Sequence, residues 1–177
     1  MRLFKYEGYT LTVSEEALAL KPFRAIWVRD KTDKKERAVM ELAYVYFMED
    51  PRSDYQYIID REERAKAIKE GEGLRPSWKP DGTVKEAMEL YASFKTTSAL
   101  LLEDTRAMVD GYRMKLRELT ANMKSLDVKE VREIGAIIKQ IPAMVKDLDE
   151  AERTLAKELA QSDKVRGAAE KSIYEDL

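Results

Sequence analysis

The chain contains no cysteine and no histidine. That double absence removes disulfides, thiol nucleophiles, thiolate zinc sites and every imidazole-based triad or general base, leaving carboxylate, lysine, tyrosine or hydroxyl chemistry. Glycine is scarce, at 7 of 177 residues, whereas 37% of residues are charged, a balance that favours extended helices over compact sheet. Long apolar runs are missing as well. The longest, such as Ala43 to Met48, are far too short to span a bilayer, and Met1 to Lys5 lacks the basic-then-apolar pattern of a signal peptide. A formal net charge of −2 gives no whole-molecule attraction to nucleic acid or to an anionic membrane. These absences lead us to expect a protein that is not an enzyme, with no catalytic, metal or cofactor residues and no membrane contact, used in a reducing cytoplasm.

What is present is helical periodicity. From Val84, apolar or small residues recur in alternating steps of three and four (Ala87, Tyr91, Phe94, Ser98, Leu101, Thr105, Met108, Tyr112), which predicts one long helix over Thr83 to Met123, opened by a capping box of Thr83 and Glu86. Asp127 and Glu130 have capping-box spacing for a returning helix that runs to about Ala160. Its stripe, Val131, Ile134, Ile138, Ile141, Val145, Leu148, Leu155 and Leu159, is expected to face the outgoing seam, burying Leu101 with Val145 and pairing Lys95 with Glu152. Gly111 and Gly135 fall nearly opposite each other, so close backbone approach is one reason for them and accident the other. Pro142 lies inside the return helix, and the stripe continuing on both sides predicts a bend rather than an end.

The N-terminal part reads as shorter pieces. Tyr6 to Val13 suits a strand or hairpin arm, Ser14 opens a brief helix, and Asp33 with Glu36 predicts a helix from Lys34 to about Glu49. That helix is apolar nearly all round, so another subunit is expected to cover part of it, with Tyr44 and Phe47 as contacts. Phe23, Arg24, Trp27 and Arg29 are further contact candidates, within the one locally basic stretch, Lys21 to Arg37. Asp60 with Glu63 caps another helix that ends at Gly71 and Gly73, and Pro76, Trp78, Pro80 and Gly82 mark a boundary. After Ala160 the pattern dissolves into a polar spacer ending in Ile173, Tyr174 and Leu177.

The expected fold is therefore mainly α. A smaller N-terminal helical region with a short strand or hairpin (1–82) precedes a long antiparallel helical hairpin (83–160) and an extended C-terminal docking tail (161–177). Phe23 to Lys31 running on to Tyr44 through Met48, Leu102-Glu103-Asp104-Thr105-Arg106, Ile138 to Pro142, and Arg166-Gly167 with Ile173-Tyr174-Glu175-Asp176 together resemble small virion structural proteins of tailed bacteriophages, particularly crAss-like ones. The resemblance implies a part of the particle, in the neck joining head to tail, made in the host cytoplasm. Its implied partners are copies of itself in a ring and adjacent virion proteins of the portal, connector or tail, and Arg166, Ile173, Tyr174 and Leu177 would be contacts in the tail. The alternative reading is a nucleic-acid-binding or regulatory helical adaptor that uses the Lys21 to Arg37 patch.

Overall fold

The structure, a computed structural model, describes residues 3–7, 10–121 and 126–174, with side chains for 3–5, 11–121 and 126–161. The chain is mainly helical and divides into two compact units, residues 1–95 and 96–177. The boundary at Gly82 predicted from sequence therefore falls inside the first unit.

In the N-terminal unit, β1 (Phe4–Glu7) and β2 (Thr10–Val13) pair antiparallel, with Phe4 opposite Val13. The Ser14 hydroxyl accepts from the Ala17 amide at 3.1 Å and starts α1 (Glu15–Ala19), as the sequence predicts. Pro22 sits in the first turn of α2 (Lys21–Arg29), where its missing N–H is no loss and its fixed φ suits a helix.

The cap of α3 (Glu36–Glu49) comes from Asp30, not Asp33. One Asp30 oxygen accepts from the Thr32 amide and hydroxyl at 3.0 and 2.8 Å, and the other from the Ala38 amide at 3.0 Å. Lys35, at φ 53°, makes the left-handed turn between them. Asp60 caps α4 (Arg61–Gly71) as predicted. A Cβ at Gly71 would lie 2.0 Å from the Tyr55 hydroxyl, which would have to move, and Gly73 takes φ 71°, a conformation that favours glycine. Asp81, rather than Thr83, caps α5 (Gly82–Ala92).

The predicted long helix breaks after Ala92. Ser93, Phe94 and Lys95 make tight turn bonds back to Glu89, Tyr91 and Ala92, and Thr96 then caps α6 (Thr97–Ala121) by accepting from the Ala99 amide at 3.3 Å. The heptad pattern carries straight across this break because seam spacing is blind to a competing Ser/Thr cap. α7 (Val128–Tyr174) begins with a complete capping box, Asp127 amide to Glu130 at 2.8 Å and Glu130 amide to Asp127 at 2.7 Å. It passes through Pro142 without ending and keeps its helical backbone beyond Ala160 to Tyr174.

α2, α4, α5 and β2 all pack against α3. Ala38, Leu42 to Met48 and their neighbours are buried, so this unit alone covers the apolar helix for which the sequence suggested a second subunit. Phe4 stands edge-on to Phe23 with ring centres 5.5 Å apart, and Trp78 stands edge-on to Tyr44 at 4.9 Å.

Candidate interaction surfaces

The sequence nominated Phe23, Tyr44 and Phe47 as contacts, but they are 0%, 3% and 1% exposed and belong to the core of the N-terminal unit. That role is corrected, because side chains closed over by their own unit offer nothing to a partner. Trp27 is half-buried against the same core, whereas Arg24 is exposed on α2. Arg29 donates to Glu41 and, at 2.5 Å, to Asp81, which ties α2 to α3 and to the start of α5. The side chains of Arg166, Ile173 and Tyr174, and Leu177 altogether, lie outside the described residues.

Three acids on or just past α3 are buried and fully paired. Glu41 holds Arg29 and, at 3.0 Å, Arg37; Glu49 holds Arg61 and, at 3.1 Å, Lys95. Asp50 accepts from Arg52 at 2.7 and 2.9 Å and from the Tyr91 hydroxyl at 2.6 Å. Burial alone would raise the Asp50 pKa, but Arg52 and Tyr91 outweigh it and hold the carboxyl below its ordinary value. Burial and the Asp50 charge push the Tyr91 hydroxyl well above the usual tyrosine range. Asp30, bonded first to the Thr32 amide and then to that of Ala38, is held down at about 2. Every one of these acids has its charge committed to a cation or to backbone N–H groups, so the cluster fastens helices together. Among the described residues no group of three or more His, Cys, Asp or Glu could hold a metal ion, and no helix is long and apolar enough to cross a membrane.

The hairpin unit is different. Its core is thin: Ala99 and Leu102 on α6 close against Ala151 and Leu155 on α7, with Leu148 and Leu159 alongside. Contact through these residues sets the rotation of both helices, so Ile137 and Met144 turn inward while Val131, Ile138, Ile141 and Val145 stay exposed. The expected Leu101–Val145 contact is therefore absent, and each of the two is 56% exposed. The register differs too, with Glu152 pairing Arg106 at 3.0 Å while Lys95 serves Glu49.

Two open grooves flank the Tyr112–Ile137 line, since these two residues border both. One, of about 430 Å³, is lined further by Met108, Gly111 and Lys115 on α6 and by Glu133, Ala136 and Gln140 on α7. The other, of about 190 Å³, is lined by Val109, Arg113 and Leu116 and by Ile141, Met144 and Val145. A Cβ at Gly111 or Gly135 would meet nothing within 4 Å, so close backbone approach does not explain these glycines. Comparison with protein-family models, curated proteins and solved structures finds no match to this chain.

Proposed function

We propose that this protein is a structural subunit of a tailed-phage particle, in the head-to-tail neck that the resemblance implies, and that it works through protein–protein contacts rather than by catalysis. The observation that carries the assembly reading is the apolar ridge of α7. Val131, Ile138 and Val145 keep a seven-residue repeat of β-branched side chains, with Ile141 between the last two, that α6 leaves exposed. A contiguous apolar surface of this kind marks an interaction site. The N-terminal unit, with its aromatic core and paired buried acids, is a closed body of its own.

The nucleic-acid reading has fewer free cations to draw on than the sequence suggests. In the Lys21 to Arg37 stretch Arg29 and Arg37 are held by Glu41 and Lys35 bonds the Asp30 carbonyl, which leaves Lys21, Arg24, Lys31 and Lys34 exposed. Quantitative mass spectrometry of purified particles is expected to find the chain at a fixed copy number suited to a ring. Particles that contain none of it would overturn the reading.

A further inference from the structure

The two open faces of the α6–α7 hairpin are unlike, and their chemistry is complementary. Residues seven apart on a helix return to within about 20° of one another, so each face can be read as columns. On α7, the exposed column Val131, Ile138 and Val145 runs beside the column Arg132, Lys139 and Lys146. None of those three cations has an ion-pair partner among the described residues. The lining of the larger groove holds one acid and one cation, Glu133 and Lys115, and the helix columns that continue it add acids. Asp104 and Glu118 stand seven residues either side of Gly111, while Glu133 lines the groove and Asp147 lies seven beyond Gln140. Lys115 is the cation in this groove, and it reaches Glu118 at 3.4 Å. With Gly111 and Ala136 contributing almost no side-chain bulk, the groove has room for branched side chains.

We propose that copies of this chain associate hairpin to hairpin, the ridge Val131–Ile138–Val145 of one copy seating in the groove between Met108–Lys115 and Glu133–Gln140 of the next. Arg132, Lys139 and Lys146 then face the acids at the groove's rims. Ridge-to-ridge pairing would instead bring two basic columns together, which like-charge repulsion disfavours. Because ridge and groove are different surfaces, the contact is heterologous, and it repeats until the rotation closes a ring. The inference rests on the assembly reading above and names the partner of that surface.

The test uses the full chain and sedimentation velocity, with circular dichroism confirming that each variant stays helical. Ile138→Glu with Val145→Glu removes the ridge, and Gly111→Leu with Ala136→Arg fills the groove. Each variant alone is expected to lose self-association by about tenfold or more, whereas an equimolar mixture forms one-to-one pairs that grow no further. Reversing the ridge charge with Lys139→Glu and Lys146→Glu is expected to dissociate the assembly. Adding Glu133→Lys and Asp147→Lys to the same chain restores it.

A mixture that forms no pairs, a four-fold charge reversal that stays dissociated, or a wild-type chain that remains monomeric overturns the proposal. So does a monomer that binds vesicles of acidic lipid through the ridge. Chain found in particles whose ridge-blocked form is incorporated normally overturns this inference alone. Complementary mixing by a chain absent from particles overturns only the particle reading.

Discussion

The two units solve the same problem in opposite ways. The N-terminal unit wraps α3 on several sides and buries large side chains such as Phe4, Phe23 and Phe47, leaving Val28, Tyr57 and Phe94 as its exposed large apolar residues among those described. In the hairpin, small residues at the tightest contact leave Leu101, Met108, Val131, Ile138 and Val145 exposed. Two helices can bury only one stripe each against the other, so a helix with a broad apolar stripe keeps its remainder for a third element. Polar groups follow the same division. Buried acids in the first unit are held by cations or by backbone N–H groups, while on the hairpin Arg132, Lys139 and Lys146 form a row with no ion-pair partner among the described residues.

This contrast can be broken at several points, beginning with the largest expected effect. Phe47→Ala should destabilise the N-terminal unit by about 3–5 kcal/mol in denaturant melts. Tryptophan fluorescence reports this unit alone, because Trp27 and Trp78 both lie in it. Leu102→Ala, in the hairpin core, should cost about 2–4 kcal/mol by ellipticity and leave the tryptophan signal of the first unit in place. Tyr91→Phe removes the hydroxyl bonded to Asp50 while Arg52 stays on the carboxylate, and should cost about 1.5–3 kcal/mol.

Acid sharpens the comparison further. Asp30 and Asp50 titrate lower in the fold than in an unfolded chain, so their contribution is complete above the ordinary carboxylate pKa and fades as pH falls through the folded values. The N-terminal unit should therefore lose stability from about pH 4 downward towards 2, and Asp30→Asn should flatten that limb. Smallest of all, Leu101→Ala should change the melting of the dispersed protein by under about 0.5 kcal/mol, although the neighbouring residue is core.

How much of this could be read in advance depended on whether the signal was local. Ser14, Asp60 and the Asp127–Glu130 box act within one turn, and each sits where its spacing puts it. Asp33 and Thr83 had equally good spacing but lost to Asp30 and Asp81, because several polar residues near a helix start compete for the same amides. Thr96, before Thr97 and Ser98, was the signal for the break that the heptad count overran. The α7 stripe itself was legible, but its exposure was not. Period says which residues share a face, whereas what that face meets depends on helix rotation, and Ala99 and Ala151 set that rotation. For the same reason the apolar character of Phe23, Tyr44 and Phe47 was plain, yet only the packing of α2, α4 and α5 shows that they are core.

The central claim is that the hairpin's open faces are the assembly surface and that the N-terminal unit's exposed apolar residues are not. Hydroxyl-radical footprinting of the assembled and dispersed protein tests this side chain by side chain. Protection on assembly is predicted at Met108, Ile138 and Val145, with Val28 and Tyr57 labelled equally in both forms. Equal labelling of Met108, Ile138 and Val145 in the two forms would contradict the account.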